Sequence, residues 1–359
     1  MPECIIVASE TVFHDTLREA LSSFLKSVSI TPSLSTSSVV ATNSASTSIV
    51  TVVNSRISTL QTLLKTLELD VPPPGMPLYL QIGQVMLHCP RPDVRDLPLA
   101  DIDFAPLLRA LDSRNLARLL IFLLLEPQIV LIADSVEHLF PSVMALMHLA
   151  YPFSWAFPVV PVLPPSRLSF LESPHPYIVG IHRSCVPRGR LQSNVLVADL
   201  SQNTLTVPPS CSREDFDNVQ TMLESRVTAC KHALLGKTES WKSSALPDDV
   251  VAPGAYGTAS AGNSSGMHAA VESLRLNIAA DLSQIFFRYP LYLQTPNHAV
   301  LFDSIAFAAA SEEFHDFVQA VSSTKSFSSF LSTRYCNWIP KSGSSPSRLL
   351  DVFDAKVKR

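Results

Sequence analysis

The chain has 359 residues, 47% apolar and 16% charged, with a formal net charge of −4. That length admits about two domains at ~150 residues each, and the apolar content argues against disorder along the whole chain. The slight acidity, with no basic stripe interleaved with aromatics, argues against nucleic acid as the main partner.

The opening MPECIIVASETVFHD has no basic n-region and gains charge early, unlike a secretory signal. The six cysteines, Cys4, Cys89, Cys185, Cys211, Cys230 and Cys336, form no C-x-x-C pair, which leaves no zinc spacing and fits a reducing compartment. Thr31 to Ser58, rich in Ser, Thr, Val and Ala, reads as a loop in spite of its SIVTVV. Leu116, Leu119, Leu120, Leu123 and Leu124 recur at helical spacing, with Asp112 or Ser113 as cap and Pro127 as terminator. QIVLIA (128–133) is short and β-branched, as a buried strand should be. A helix follows with Leu139, Val143, Leu146, Met147 and Ala150 on one face and a start obscured by Pro141. The apolar run LLIFLLLEPQIVLIA is broken by Glu126, Pro127 and Gln128, so neither piece spans a bilayer.

In LAYPFSWAFPVVPVLPP (149–165) aromatics alternate with prolines. Phe157 to Leu163 can be a strand only at a sheet edge, because proline removes a ladder donor. Ser166 to Glu172 is expected as a helical turn, and PYIVGIH (176–182) and SNVLVADL (193–200) as strands. Alternating helices and strands make this a layered α/β module with short connections. Downstream, one helix is marked by Val219, Met222, Leu223, Val227 and Cys230, and another by Val271, Leu274, Leu276 and Ile278, running toward Phe287. A third carries Phe314, Phe317, Val318 and Val321, with Ser311 as its cap and Glu312 and Glu313 at its positive end. Lys237 to Gly266 reads as a linker, and the tail after Pro340 is expected to fray.

Chemistry-bearing motifs are scarce. A phosphate cradle needs glycine, and the turn after QIVLIA is Asp134-Ser135-Val136-Glu137. Gly236-Lys237-Thr238 resembles a P-loop end, but the first required glycine falls at Lys231 and no strand precedes it. Neither G-x-S-x-G nor H-E-x-x-H occurs. His175 and His182 fall on opposite faces of an extended segment, and Asp199 reads as a turn-capping residue before Ser201-Gln202-Asn203. No catalytic, cofactor or metal residue is assigned.

The run from Leu124 to His182 resembles the central part of the DENN domain. Its marks are Leu124-Leu125-Glu126, then Leu149 to Trp155 with Tyr151, Pro152 and Phe153, then Pro161 to Pro164, then Pro174 to Gly180 with Pro176 and Tyr177. Weaker matches are Cys4 to Leu25 and Thr324 to Leu331, the latter similar to a T-x-x-F-x-x-F-I helix through Thr324, Phe327 and Phe330. These motif residues are read as structural. Two positions depart from the family pattern: a basic pair gives way to Pro127-Gln128, and a strand-end serine to Asp134 or Ser135.

The resemblance implies an α/β, layered C-terminal DENN lobe with a central sheet flanked by helices and a mostly helical downstream part. The corresponding division is 1–30 (end of an N-terminal lobe or linker), 31–71 (Ser/Thr-rich linker and helix), 72–206 (central module), 207–236 (helix), 237–266 (flexible loop), 267–338 (downstream helices) and 339–359 (tail). The longin-like N-terminal lobe is expected to be largely missing. DENN proteins are typically guanine-nucleotide exchange factors for Rab GTPases, so the expected partner is a Rab-type GTPase, the compartment cytoplasmic, and membrane association indirect. The alternatives are a DENN-fold scaffold without exchange activity and a small-molecule α/β enzyme, the latter disfavoured by the missing phosphate loop. Candidate GTPase contacts are the polar residues at strand ends and turns: Asp134, Ser135, Glu137, Arg167 and Arg183.

Overall fold

The computed structural model describes residues 18, 21, 72–82, 85–89, 91–93, 96–187, 191, 193–209, 216–235, 261–294, 301–336 and 353. The expected loop at 31–58 and nearly all of Cys4 to Leu25 lie outside them. The chain divides into two compact units, Met1–Ile102 and Asp103–Arg359.

The first unit holds an antiparallel hairpin, β1 (Leu78–Ile82) and β2 (Val85–Cys89), in register from Leu78↔Cys89 to Ile82↔Val85. The apolar runs used above do not reveal it. Its signal is two five-residue strands separated in sequence only by Gly83-Gln84, the spacing of a tight turn.

The second unit starts with helices α1 (Ala105–Ala110) and α2 (Ser113–Leu124). Asp112 caps α2, its Oδ1 accepting from Asn115 N at 2.7 Å. The same aspartate accepts from Asn203 Nδ2 at 3.1 Å and donates its backbone N–H to Asn203 Oδ1 at 2.8 Å. Asn203 has φ +50, a left-handed conformation that asparagine tolerates well. Helix α2 stops at Leu124, Glu126 turns left-handed at φ +56, and Pro127 leads into β3 (Gln128–Ala133), buried at every position.

Strand β3 is the centre of a five-stranded sheet. Helix α3 (Val136–Leu149) follows it, then edge strand β4 (Val159–Val160), a 3₁₀ segment (Pro165–Glu172), β5 (Tyr177–His182), β6 (Leu196–Asp199) and β7 (Thr204–Thr206). The order is β4-β5-β3-β6-β7, parallel except for β7, which pairs antiparallel with β6. Val130, Ile132, Val179, Ile181 and Tyr177 pack with Leu163 and Leu171 on one face. The opposite face meets α3: a Cβ on Gly180 would lie 3.4 Å from Leu139 Cβ. The same Cβ would lie 2.0 Å from Pro161 O, so only glycine allows the chain leaving β4 to approach β5 this closely. The fold class is as expected, and the proline-rich strand does sit at an edge, cut to two residues between Pro158 and Pro161. Strand β7, only three residues long, is unexpected; a short Thr-Leu-Thr run after a polar turn carries little pattern.

Helices α4 (Asp217–Leu235) and α5 (Ala261–Phe286) pack on this module, α4 against α2 and α5 against both α4 and α3. A 3₁₀ turn (Tyr289–Tyr292), the short pair β8 (Leu293–Gln294) and β9 (Leu301–Phe302), and helices α6 (Ser304–Ala309), α7 (His315–Ser322) and α8 (Lys325–Cys336) complete it. Four expectations need correction. Helix α5 begins at Ala261, inside the segment read as a linker, because a helix held by packing at Val271 and Leu274 extends through residues of poor propensity. Leu276 is exposed, five positions past Val271 and so turned away from the buried face of Val271, Leu274 and Ile278. Ser311 does not cap α7: its hydroxyl donates back to Phe307 O at 3.3 Å, and Glu312 and Glu313 lie on a 3₁₀ turn ahead of the helix. The tail does not fray at Phe353, which is fully buried with its ring 5.5 Å from that of Phe330.

Candidate functional site

The carboxyl ends of β3, β5 and β6 form a rim. From β3 the chain moves to β4 and β5 on one side and then crosses to β6 on the other, so β3 is the topological switch point, where open parallel sheets place their binding crevices. At or just past the end of each strand a polar residue reaches a neighbour. Arg183, just past β5, donates Nε to Asp134 Oδ1 beyond β3 and Nη2 to Asp199 Oδ1 at the end of β6, both at 2.5 Å. Asp199 Oδ1 also accepts from Ser201 N and Gln202 N at 3.0 Å, so it caps its turn as expected and holds Arg183 as well. His182 Nε2 donates to Asp134 O at 2.7 Å, while Nδ1 accepts from Ser184. Ser135 caps α3 through Glu137 N at 3.2 Å.

The rim is rigid behind and open in front. Asp199 has 14% of its side chain exposed and Asp134 has 60%. A hydrogen bond from Ser201, then one from Arg183, hold the Asp134 carboxyl below its ordinary pKa. Asp199 and Asp134 in turn keep the Arg183 guanidinium more firmly protonated. Glu137 is exposed beside them, as are the apolar side chains of Val136 and Phe140 on the first turns of α3. The structure therefore brings together four of the five expected contact residues, Asp134, Ser135, Glu137 and Arg183. It leaves out Arg167, which sits on the 3₁₀ segment and takes no part in the network. It adds Asp199, Ser201 and His182; only the polar residues at and directly after the strand ends could have pointed to them. Among the described residues, no group of three His, Cys, Asp or Glu is placed to hold a metal ion.

The motif residues take no part in this rim. The Glu126 carboxylate accepts from Lys325 N at 2.8 Å, from Ser326 N at 2.6 Å and from the Ser326 hydroxyl, and so caps α8 from 200 residues away. Thr324 caps the same helix through Phe327 N at 3.3 Å. Phe153 is buried with its ring 5.1–5.9 Å from those of Phe330, Phe286 and Phe327. Tyr151-Pro152 is a cis peptide, and Trp155 packs edge-on against Phe157, over which the Lys325 ammonium sits at 5.2 Å. Pro161 O faces Gly180, Pro164 O accepts from Arg167 N at 2.9 Å, and Pro176 leads into β5. The Tyr177 hydroxyl donates to Leu171 O at 3.0 Å, and burial pushes its pKa up to about 12.

The sheet order, the Glu126 cap and the proline-bounded corner coincide with a family match. The DENN (AEX-3) domain model matches residues 1–203, more than half of the chain. The chain belongs to the DENN domain family. A DENN domain-containing protein of Schizosaccharomyces pombe is 33% identical over 156 residues, which are 41% of this chain and 16% of that protein. Human DENN domain-containing protein 1A is 28% identical over 177 residues, 48% of this chain and 17% of that protein. Mouse DENN domain-containing protein 2A is 37% identical over 107 residues, 29% of this chain and 11% of that protein. The match thus spans only about a sixth or less of the length of these DENN relatives. Among the described residues of this DENN chain, no helix is long and apolar enough to cross a membrane.

Proposed function

We propose that this chain is part of a guanine-nucleotide exchange factor for a Rab-type small GTPase, and that the rim at β3, β5 and β6 meets the GTPase. Membership of the DENN family supports the class of activity. The observation that carries the site is the cross-braced rim: Arg183 fixed between Asp134 and Asp199, with the Asp134 and Glu137 carboxylates and the Val136 and Phe140 side chains facing outward. Such a mixture of apolar and charged groups on a rigid base is what a protein partner requires.

Exchange needs no bond-making residue. A factor that binds the nucleotide-free GTPase more tightly than the loaded form lowers nucleotide affinity by the same ratio, each tenfold corresponding to about 1.4 kcal/mol of differential contact. A rim already ordered by internal hydrogen bonds loses little entropy on docking, so more of its contact energy serves that difference. The expected setting is cytoplasmic, with recruitment to vesicle or organelle membranes through partners.

The test is release of a fluorescent GDP analogue from a panel of purified Rab GTPases, with this chain and with an upstream-extended version. Acceleration for one or two Rabs supports the proposal. Binding without acceleration by either version refutes exchange and leaves a DENN-fold scaffold.

A further inference from the structure

We infer that a second surface, the groove between edge strand β4 and the 3₁₀ segment, docks a short extended apolar peptide of a partner protein that carries a carboxylate. The groove has a volume of about 320 Å³ and is lined by Val160, Leu163, Pro164, Ser169, Phe170 and Arg167. This inference does not depend on the Rab assignment.

Three observations define the occupant. The first is charge. Arg167 is the only charged residue in the lining, it is exposed, and its backbone (φ −120, ψ 21) departs from the helix on either side. Among the described residues its side chain has no hydrogen bond or ion pair, whereas Arg183 and Arg226 are each held by aspartate. A guanidinium fork at an apolar wall matches a carboxylate in two parallel hydrogen bonds, and a basic or neutral ligand would leave it unmatched.

The second is the sheet edge. Ile178 N donates to Pro158 O at 3.1 Å, and Val159 stands opposite Ile178 in a parallel register. Alternation along a parallel strand then turns the peptide groups of Pro158 and Val160 toward β5 and leaves the N–H and C=O of Val159 facing outward. Pro158 and Pro161 have no N–H to offer on either side. The edge therefore takes one residue of a peptide through its backbone and cannot template a long strand.

The third is the apolar wall. Val160, Leu163, Pro164 and Phe170 offer side-chain contact in the groove, and Val160 is the chain neighbour of Val159, which carries that single backbone pair. The ligand is thus an extended segment a few residues long, apolar on either side of its acidic residue.

The test pans the full chain against a random-peptide phage library, with Arg167→Glu as counter-selection after its melting temperature is shown to match wild type. Enriched peptides are labelled with fluorescein and titrated by anisotropy. The expected peptides carry Asp or Glu between apolar residues. Replacing that acid by its amide, or Arg167 by Gln, weakens binding roughly tenfold, the two changes together cost little more than one, and Arg183→Gln has no effect. Enrichment of peptides without an acid, peptides indifferent to Arg167→Gln, or no peptide that separates wild type from Arg167→Glu overturns the inference. A wild-type dimer in sedimentation that Arg167→Glu dissociates assigns the groove to a second copy and overturns it as well.

Discussion

Glu126→Ala removes the carboxylate that caps α8 across the whole second unit. Two backbone N–H groups and one hydroxyl lose their acceptor. Loss of an N-terminal cap costs about 1 kcal/mol, and loss of the carboxylate's interaction with the helix dipole about 0.5 kcal/mol. Ser326 is 5% exposed, so its hydroxyl and N–H are left in a poorly hydrated place, adding roughly 1 kcal/mol. Glu126 itself is half-buried, and water partly replaces the carboxylate, which holds the total to about 2 kcal/mol. For a unit of this size that is a fall in melting temperature of about 4–8 °C. Glu126→Gly separates the cap from the backbone: at φ +56 alanine is strained by roughly 1 kcal/mol and glycine is not, so the glycine variant should melt above the alanine variant. Calorimetry and urea unfolding measure both, and a double-mutant cycle with Ser326→Ala should give a coupling of about 1 kcal/mol. Glu126→Ala within ~0.5 kcal/mol of wild type, or no coupling to Ser326, would refute the reasoning.

Three further outcomes are expected. Gly180→Ala drives a Cβ onto the Pro161 carbonyl, so urea unfolding should show a loss of about 3 kcal/mol or more, or no soluble protein; a loss under ~1 kcal/mol contradicts the close approach. Arg183→Gln leaves stability nearly unchanged, since its ion pairs are partly solvated, but lowers GTPase binding and nucleotide release severalfold in the fluorescent-GDP assay; unchanged release counts against the rim. Cys230 and Lys231 give opposite pH slopes: burial lowers the Lys231 pKa to about 8 from 10.5 and raises that of the Cys230 thiol to about 11 from 9.0. From pH 8 to 9 the unfolded lysine holds more protons than the folded one, so stability rises with pH; above 9 the folded thiol holds more than the unfolded one, and the rise is offset. Lys231→Met should abolish the rise, and Cys230→Ala should extend it toward pH 10.5, read by unfolding at a series of pH values; identical profiles in all three proteins would refute the assignment.

Where neighbouring residues decide the outcome, the sequence can be read directly. Asp112 caps α2 because a capping aspartate needs only the next turn, and QIVLIA is central because a β-branched run of that length has to be covered on both faces. Glu126 is visible as a motif residue, but its task is not, since its partners lie two hundred positions downstream. Ser311 has the right residue type for a cap and a competing carbonyl at Phe307, and only the three-dimensional path decides between them. In the site, residues following strands could be named from pattern alone. That three of those strand ends adjoin, and that Arg183 is the brace among them, depends on a sheet order that periodicity does not encode. Arg167 belongs to the same residue class and lies elsewhere because it sits on the crossover from β4 to β5, whose Leu163 and Leu171 pack on one face of the sheet.

The Glu126 cap also bears on how this protein can be dissected. The family match ends at residue 203, but the N–H groups that satisfy Glu126 are at 325 and 326, and the rings packed on Phe153 are at 286, 327 and 330. A fragment cut at 203 would carry an unsatisfied carboxylate and an aromatic side chain stripped of its neighbours. The boundary of recognisable ancestry is therefore not a boundary of autonomous folding, and expression or complementation with the matched segment alone should return aggregate where the longer chain returns protein.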